Sequence, residues 1–332
     1  MTRPLHPMAE QVTIAVVGSL NMDLVVRATR LPTPGETLLG GSYRTFPGGK
    51  GANQAVAASR LGARVTMIGR VGDDAHGAKL RTVLLENGID VSHVITTPDT
   101  PTGLGMITVA DGGENTIVVA SGANALVTPD DVRAASAAIT SAGALLLQLE
   151  VPMAANLEAA KIARQSGVPV ILNAAPARTM PPELLALVDV LLVNRSEAAL
   201  LTAQDVGTEP GRLLLRAGEI GPQTVILTLG AQGSIVAHRG RQRRVPTLSV
   251  QGVDSVGAGD AFSGAIACAW PEVAAAVKSK SPEEAALVER ALLTASVAGA
   301  LAATKAGAIP SMPTREQVEL RVPELSSRPR AL

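Results

Sequence analysis

The sequence predicts an α/β fold, a doubly wound, mostly parallel sheet flanked by helices with a small β-sheet lid. Short apolar runs rich in β-branched residues recur along the chain, and such runs suit strands that are buried on both faces. Helix-compatible segments separate most of these runs, an alternation typical of parallel sheets. Two segments, residues 23–46 and 102–120, interrupt this rhythm and predict the lid.

Apolar runs predict the strands of the main sheet, and they cover residues 12–18, 65–68, 144–147, 168–172, 188–193 and 225–229. The segments that favour helices cover residues 52–61, 77–86, 153–166 and 196–202. Residues 283–304 are rich in alanine and predict one long helix on the sheet, stopped by Gly307 and Pro310. Residues 271–281 predict a variable loop. Ligands of doubly wound folds bind beyond the carboxyl ends of the strands, so we expect the site there.

The two interrupting segments predict exposed antiparallel strands outside the main sheet. In the first, the apolar stretches 24–26 and 36–39 are separated by a turn that contains proline and glycine. In the second, alternating residues flank a hairpin-type turn, Asp111-Gly112-Gly113. A plain edge hairpin is the alternative to a lid. We expect one α/β domain over residues 12–315, between flexible termini at 1–11 and 320–332.

Composition argues against several classes of function. The 332 residues include 29 basic and 29 acidic side chains, so the basic excess that binds nucleic acid is missing. The basic stretch 239–244 predicts a solvated hairpin tip. The single cysteine, Cys268, lies in an apolar run, which predicts a buried thiol and no intrachain disulfide. There is no apolar signal core at the N-terminus and no apolar run of about 18 residues. We therefore expect a cytoplasmic protein without a membrane or nucleic-acid partner.

The strongest chemical signal is a small-residue turn before a helix-compatible run, made of Gly257, Ala258, Gly259 and Asp260. Small residues let a ligand approach the backbone, and the unpaired N–H groups of a first helical turn bind anions with the help of the helix dipole. A carboxylate beside a bound phosphate can take the proton of an attacking hydroxyl. The turn therefore suggests phosphoryl transfer to an alcohol. An ordinary capped loop is the alternative.

Polar groups that suit a sugar follow the first strand and open the first helix. Asn21 and Asp23 can bind vicinal hydroxyls, although turn chemistry alone also explains them. Residues 48–53 place backbone N–H groups, an ammonium and an amide around one small space. They lack both the Walker spacing and the dinucleotide fingerprint, which disfavours a nucleotide-binding oxidoreductase. Glu150 ends a further strand, at the same edge of the predicted sheet.

Two more strand ends suit a nucleotide. Glu197 follows Asn194 by three residues, a spacing that forms a capping box or orients the waters of Mg²⁺. The last buried strand leads into a segment whose two glycines allow close approach of a nucleotide, and its residues are Thr228, Leu229, Gly230, Ala231, Gln232 and Gly233.

Five stretches together resemble the ribokinase-like (PfkB) carbohydrate-kinase family over about residues 12–313. They are Pro32-Thr33-Pro34-Gly35-Glu36-Thr37, residues 48–58 with Gly-Gly-Lys-Gly-Ala-Asn-Gln, Gln148-Leu149-Glu150, residues 173–178 with Asn-Ala-Ala-Pro-Ala-Arg, and residues 254–260 with Asp-Ser-Val-Gly-Ala-Gly-Asp. Ser255 stands where many relatives have threonine, which is a mild departure.

The resemblance implies ATP-dependent phosphorylation of D-ribose at its 5-hydroxyl. Asp260 matches the catalytic base, and Gly257, Ala258 and Gly259 match the anion hole. The positions that contact ribose correspond to Asn21, Asp23, Gly49, Lys50, Gly51, Asn53, Glu150 and Asp260. The positions that contact the nucleotide correspond to Asn194, Glu197, Thr228, Leu229, Gly230, Ala231, Gln232, Gly233, Gly259 and Ser296. Ser296 stands where some relatives place a histidine against adenine.

The resemblance also implies Mg²⁺, linked to Glu197, and a monovalent activator, usually K⁺. The positions of the monovalent site correspond to Asp254, Val256, Ala302, Lys305, Gly307 and Ser311, several of them through backbone carbonyls. Lids of this family often pair between two subunits, so a homodimer through the lid is expected. Another sugar or nucleoside kinase of the family, acting on 2-deoxyribose, fructose or adenosine, is an alternative. A non-catalytic sugar sensor is another.

Overall fold

The computed structural model describes residues 11–326, whose strands form two sheets. The strands are β1 (Thr13–Val17), β2 (Asn21–Ala28), β3 (Tyr43–Gly48), β4 (Arg64–Gly72), β5 (Asp90–Thr97), β6 (Gly103–Ala110), β7 (Asn115–Ala120), β8 (Ala144–Leu147), β9 (Val170–Asn173), β10 (Val190–Asn194), β11 (Thr224–Thr228), β12 (Ser234–His238) and β13 (Arg241–Val245).

The main sheet contains nine strands in the order β13-β12-β11-β10-β9-β8-β1-β4-β5. Neighbouring strands from β11 to β5 run parallel, and β12 and β13 add an antiparallel edge. The chain first builds outward from β1 to β5 and then returns to place β8 on the other side of β1. The predicted doubly wound sheet is confirmed, and the strand order reverses between β1 and β8.

Helices connect the strands and cover the main sheet. They are α1 (Lys50–Arg60), α2 (Ala75–Glu86), α3 (Pro129–Ala134), α4 (Ser136–Thr140), α5 (Met153–Gln165), α6 (Pro182–Leu185), α7 (Arg195–Leu201), α8 (Pro210–Gly218), α9 (Ala258–Ser279), α10 (Glu284–Ala302), α11 (Ala308–Ser311) and α12 (Arg315–Ser326). The long helix expected at 283–304 is α10 and is confirmed within two residues at each end.

Two hydrophobic cores lie on opposite faces of the main sheet. In β1, Ile14 and Val16 belong to one core, whereas Ala15 and Val17 belong to the other, as the two-residue period of a strand requires. Helices α1, α9 and α10 contribute to the first core, and α5 and α8 contribute to the second. Burying each large aliphatic side chain stabilises the fold by about 1.5–3 kcal/mol. Because helices cover both faces of the sheet, a ligand can reach the sheet only at an edge.

Helices α1 and α9 cross in direct contact, which brings their first turns together. Gly264 of α9 makes this possible, because a Cβ atom at that position would lie 2.7 Å from the Cβ atom of Ala57 and 2.9 Å from the backbone nitrogen of Ala58. Real Cβ contacts are longer than this. The close crossing therefore sets the distance between the side chains that begin the two helices.

The small sheet combines both interrupting segments in the order β3-β2-β6-β7. Strand β2 pairs antiparallel with β3 and parallel with β6, and β6 and β7 form the expected hairpin. The strand expected at 36–39 is wrong, since these residues form a loop in which Leu39 is 92 % exposed. Glu36 accepts a hydrogen bond from the backbone N–H of Thr33 at 3.0 Å and pairs with Arg30, so local turn contacts replace strand pairing here.

Two further expectations are wrong. Residues 271–281 are mostly helical, because α9 continues through Pro271 to Ser279, with Trp270 and Val273 buried along its length. Residues 320–326, expected to fray, complete α12, and Leu325 is only 3 % exposed. The rest of the expected flexible termini, residues 1–10 and 327–332, lies outside the described residues.

Helix α10 is long and apolar enough to cross a membrane by length and composition, and half of that stretch is buried inside the protein. Core helices of soluble proteins share this composition. The basic stretch 239–244 forms the turn and second strand of the β12–β13 hairpin, where Arg239 pairs with Glu284 at 3.3 Å. Burial raises the pKa of the Cys268 thiol to about 12, which disfavours the reactive thiolate.

Candidate active site

A cavity of about 460 Å³ opens at the carboxyl edge of the main sheet, and its size suits a small ligand. Ile107, Ile117 and Val119 of the small sheet form one wall. Of the residues singled out in the sequence, those that line the cavity are Asn21, Asp23, Gly49, Lys50, Asn53, Glu150, Asn194, Glu197, Thr228, Gly230, Val256, Gly257, Ala258, Gly259 and Asp260.

Asp260 lies in the first turn of α9, only 6 % exposed, and both of its oxygens accept hydrogen bonds from side chains of α1. Asn53 Nδ2 donates to Oδ2 and Gln54 Nε2 donates to Oδ1, each at 2.9 Å. Hydrogen bonds to an ionised acceptor are stronger than neutral ones and fix its orientation. Each carboxylate oxygen keeps a further lone pair, so Asp260 can still accept from a ligand hydroxyl.

The turn before Asp260 depends on glycine at position 257. Gly257 has a φ of 82°, and a Cβ atom there would lie 2.9 Å from the Cα atom of Ala308. No side chain caps α9, so the N–H groups of Gly259 and Asp260 have no acceptor within the helix. The N–H of Ala258 instead donates to the carbonyl of Ser255 at 3.2 Å. The free N–H groups and the dipole of a 22-residue helix are the features that an anion-binding turn requires.

The first N–H group of helix α1 binds Glu150. The backbone N–H of Lys50 donates to Glu150 Oε2 at 3.0 Å, and the Ser19 hydroxyl donates to the same oxygen. A carboxylate at a helix N-terminus is stabilised by the dipole. The other oxygen, Oε1, accepts no hydrogen bond from a described residue of this site, which leaves it for a ligand.

Close packing beneath this turn requires two glycines. Gly49 has a φ of 87°, and a Cβ atom there would lie 2.6 Å from the backbone nitrogen of Asn21. A Cβ atom on Gly51 would lie 2.6 Å from the backbone nitrogen of Ser19. Gly51 packs against Ser19 at the end of β1 and does not border the cavity, so its contact with the ligand stays a prediction.

The Lys50 ammonium lies among four carboxylates, those of Asp23, Glu150, Glu197 and Asp260. Burial by itself would lower the pKa of Lys50, but the four carboxylates outweigh burial and raise it. The side chain is therefore a fixed positive charge inside an otherwise acidic cavity, a suitable partner for an anionic ligand.

Asp23 is a carboxylate held in a poorly solvated position. Burial, followed by the charges of Glu150 and Asp260, raises its pKa to about 7, although Lys50 opposes this effect. Glycine at 48 leaves space for the side chain, since a Cβ atom there would lie 2.2 Å from Asp23 Oδ2. Near neutral pH the group exists in both protonation states, and a ligand that donates hydrogen bonds to it favours the ionised state.

Asn21 is oriented by a residue that the sequence did not reveal. Asn124, in a 3₁₀ helix over Gly122–Leu126, donates from Nδ2 to Asn21 Oδ1 at 2.7 Å and accepts from the backbone N–H of Leu20 at 2.8 Å. Because Asn21 lines the cavity and its oxygen is engaged, its NH₂ group is the part of the amide left to donate to a ligand.

Asn194 and Glu197 form a capping box at the start of α7. The Asn194 N–H donates to Glu197 Oε2 at 2.8 Å, and the Glu197 N–H donates to Asn194 Oδ1 at 2.9 Å. Burial raises the pKa of Glu197. Glu197 also lines the cavity, so the two roles considered for this pair are compatible. Within residues 11–326 no group of three or more His, Cys, Asp or Glu side chains could hold a metal ion. This donor set fits Mg²⁺ only where phosphates and water supply most ligands.

Several expected nucleotide positions do not border the cavity. Thr228 and Gly230 line it, whereas Ala231 and Gln232 are exposed beside Gly230 in a 3₁₀ turn. The structure places the others away from the cavity lining, namely Leu229, Gly233 and Ser296. Ser296 is buried within α10, and its backbone carbonyl accepts a hydrogen bond from Thr247 Oγ1 at 3.3 Å.

Two loops bring the expected monovalent positions together next to the anion-binding turn. Asp254 Oδ1 accepts from the N–H of Val256 at 3.0 Å, and Oδ2 accepts from the N–H of Gly307 at 2.9 Å. Lys305 is exposed, and the Ser311 hydroxyl donates to the carbonyl of Ala308 at 2.8 Å. Asp254 therefore ties the two loops together through backbone N–H groups of each.

Sequence reasoning missed residues whose roles depend on tertiary contacts. Ser19, Gln54 and Asn124 each orient an expected site residue but do not line the cavity. Ile117 and Val119 of the cavity wall were missed as well. They lie two residues apart on β7, and this period of a strand is the one signal in the sequence that places both on the same face.

Comparison with known proteins gives close relatives. The chain is 40 % identical over 309 residues to the ribokinase of Haemophilus influenzae, covering 92 % of this chain and 96 % of that protein. It is 38 % identical over 306 residues to the ribokinase of Bacillus subtilis, covering 92 % of this chain and 98 % of the relative.

The fold has an equally close counterpart. The structure of Arabidopsis thaliana ribokinase complexed with ribose and ATP superposes with a TM-score of 0.81 at 33 % sequence identity, covering 94 % of this chain and 99 % of that one. The family model described as pfkB family carbohydrate kinase matches residues 11–315. The chain therefore belongs to the pfkB family of carbohydrate kinases.

Proposed function

We propose that this protein is an ATP-dependent ribokinase that phosphorylates D-ribose at its 5-hydroxyl and releases ADP. The observation that carries the proposal is the position of Asp260, between hydroxyl-binding side chains and an uncapped helix start within one cavity. Relatives that cover almost the whole chain are ribokinases, and the Arabidopsis enzyme holds ribose and ATP.

The sugar half of the site consists of donors and acceptors that alternate around the cavity. Asn21 and Lys50 donate, Asp23 and Glu150 accept, and Asn53 offers an amide. A furanose ring presents vicinal hydroxyls that both donate and accept. Fixed partners for these hydroxyls orient the remaining one toward Asp260, and such positioning is itself a large part of catalysis.

Asp260 is the proposed general base. It accepts the proton of the 5-hydroxyl as the hydroxyl oxygen bonds to the γ-phosphorus and the bond from that phosphorus to the β-phosphate oxygen breaks. The N–H groups of Gly259 and Asp260 are placed to hold the charge that spreads over the transferred group. ADP leaves with the electron pair of the broken bond, so the reaction balances.

The nucleotide half lies beside α7 and β11. Thr228 and Gly230 border the proposed adenosine side, and Asn194 and Glu197 border the phosphate side. Mg²⁺, when bound with the nucleotide, neutralises phosphate charge, and Glu197 would hold it through water. We also propose a K⁺ site between the loops of Asp254 and Gly307, where it would stabilise the anion-binding turn.

The small sheet is the proposed lid of a single kinase domain over residues 12–315. Ile107, Ile117 and Val119 would exclude water, which otherwise competes with the sugar for the phosphoryl group. The outer face of the same sheet would pair with that of a second copy. Dependence on ATP fits a cytoplasmic enzyme.

The test is a coupled assay of ADP release with ATP and four acceptors, namely ribose, 2-deoxyribose, fructose and adenosine. We expect the highest kcat/KM with ribose, stimulation by K⁺, and phosphate on C5 in the NMR spectrum of the product. Faster turnover of another acceptor would reassign the substrate within the family. If none of the four acceptors stimulates ADP release, a non-catalytic sugar sensor would be favoured instead.

A further inference from the structure

A chain of buried amides reaches Asp260 from behind the cavity. Gln148 Nε2 donates to Gln54 Oε1 at 2.7 Å, and Gln54 Nε2 donates to Asp260 Oδ1 at 2.9 Å. Asn156 Nδ2 of α5 donates to the backbone carbonyl of Gln148 at 2.6 Å. Gln54, Gln148 and Asn156 are each 0 % exposed, and none of them borders the cavity. A ligand in the cavity therefore does not contact these three side chains.

The carboxylate sets the direction of the amides. An ionised carboxylate only accepts hydrogen bonds, so Gln54 turns its NH₂ group to Asp260 and its carbonyl oxygen to Gln148. Gln148 must then donate, and its own Oε1 is left buried without a partner. Reversing Gln148 would set two carbonyl oxygens against each other. Folded proteins normally avoid an unpaired buried oxygen. Its presence here indicates that the hydrogen bonds from Gln148 through Gln54 to Asp260 have one strongly preferred direction.

We propose that Gln54, oriented by Gln148, is a positioning residue for phosphoryl transfer. It holds Oδ1 of Asp260 and leaves Oδ2 as the oxygen that takes the hydroxyl proton. Oδ2 is the cavity-side oxygen, because its partner Asn53 lines the cavity whereas Gln54 does not. The inference rests on the proposed function and adds to it the selection of one oxygen by a residue that never contacts substrate.

The charges around Asp260 explain why a permanent donor is needed. The groups that interact with it are Asp23 of β2, Glu197 of α7 and Lys50 of α1, and Glu150 lies next to Asp23. Three of these four groups are carboxylates, and Lys50 is the one cation among them. A hydrogen bond donated to a carboxylate stabilises its charged form. Gln54 supplies that bond in the free enzyme and in the substrate complex alike.

The first test is Gln54→Met, which keeps the shape of the side chain and removes its NH₂ group. We expect kcat to fall by about 10- to 100-fold, the usual range for loss of a hydrogen bond to a charged group. The KM values for ribose and ATP should stay within about threefold of wild type, since Gln54 touches neither. The acidic limb of the kcat–pH profile should move to higher pH, because the ionised carboxylate has lost a donor.

A second variant and a control separate positioning from folding. Gln148→Met makes no change at Asp260 itself and removes the donor that orients Gln54. The fall in kcat and the shift of the kcat–pH profile should therefore both appear, but should be smaller than in Gln54→Met. Ser59 lies in the same helix as Gln54, and Ser59→Ala removes its 2.6 Å hydrogen bond to the carbonyl of Asn87 at the end of α2. This variant should leave the pH profile unchanged. If Gln54→Met does not fold, Gln148→Met decides. A normal pH profile in the folded variant overturns the proposal, whatever its thermal stability.

A readout that does not need ribose turnover keeps this inference separate from the proposed function. Aspartate carboxyls can be labelled with ¹³C, and the Asp260 signal can be assigned by its loss in Asp260→Asn. Titration of that signal should move to higher pH in Gln54→Met. A shift in an enzyme that does not phosphorylate ribose would support the positioning role and refute the substrate. An unchanged titration in an active ribokinase would do the reverse.

Discussion

Asp23 shows how a single residue can favour binding at the expense of stability. Its pKa of about 7 lies well above the usual 3.8, and burial is the main cause. The folded state therefore holds the proton more tightly than the unfolded state does. At low pH Asp23 is protonated in both states, and it does not lower the free energy of unfolding. As pH rises from about 3.8 to about 7, the unfolded state releases this proton more readily than the folded state, and the free energy of unfolding falls. A substrate that donates hydrogen bonds offsets this.

Asp23→Asn should therefore stabilise the free enzyme and weaken its binding of sugar. At pH 8 we expect unfolding by denaturant to require about 1–3 kcal/mol more than in wild type, a value below the full pKa difference because solvent relaxation reduces it. The gain should be smaller at pH 5. Ribose affinity, measured by calorimetry, should fall at least about tenfold, since the variant loses a charged acceptor.

The exposed hairpin residue Asp111 provides the control for this prediction. Because Asp111 is exposed, Asp111→Asn should leave the free energy of unfolding at pH 8 nearly unchanged. An equal stability change for Asp23→Asn at pH 5 and pH 8 would mean that the charge of Asp23 is not the cause.

The sequence predicts residues of the site well where position along a strand decides their place. Asn21, Glu150 and Asn194 follow strands whose apolar runs are plain, and the parallel sheet gathers such ends at one edge. Gln54, Ser19 and Asn124 could not be found in this way. Each acts on another residue through a contact that only the folded chain creates, as between Gln54 and Asp260, 206 positions apart.

Helices and strands also differ in how well the sequence predicts them. The buried strands and α10 were predicted because their burial is visible in their own composition. Residues 36–39 and 271–281 were not. Local turn contacts of Glu36 with Thr33 and Arg30 replace a strand at 36–39, and α9 continues through Pro271 along α10. The parallel pairing of β2 with β6 was also beyond prediction, because it joins segments about 80 residues apart.

The crossing of α1 and α9 gives a prediction at the scale of elements. Gly264→Ala forces the helices apart, because its Cβ atom would lie 2.7 Å from the Cβ atom of Ala57. Overpacking of this kind costs about 1–3 kcal/mol of stability. It also moves Asn53 and Gln54 away from Asp260, so kcat should fall further than stability alone explains.

Gly218→Ala is the matched control, because nothing lies within 4 Å of the added methyl group at the end of α8. It should leave turnover unchanged and slightly raise stability. A Gly264→Ala enzyme with normal kcat and normal stability would show that the close crossing does not constrain the site.

The outer face of the small sheet concerns how two whole molecules could pair. Leu24, Met106 and Val118 lie side by side across β2, β6 and β7, on the face opposite Asp23. Val118 is 61 % exposed and Met106 is 45 % exposed, in a chain with a balanced charge. An exposed apolar face next to a binding site suits pairing with an identical face.

Val118→Lys should therefore convert a dimer into a monomer, because two lysines would meet in the proposed contact. Light scattering should report half the mass of wild type, and the KM for ribose should rise as the lid loses support. Leu320→Lys, at a position that is 76 % exposed on α12, should change neither quantity. A wild-type enzyme that is monomeric at assay concentration would contradict the pairing.

The central claim is that Asp260 takes the proton of the ribose 5-hydroxyl. The most direct measurement is the rate of ribose 5-phosphate formation by Asp260→Asn and wild type, at saturating ribose and ATP. Loss of the base should lower kcat by about 10²- to 10⁴-fold. Nucleotide affinity and thermal stability should be nearly unchanged, because the amide has almost the shape of the carboxylate. A variant that turns over within about tenfold of wild type would contradict the account.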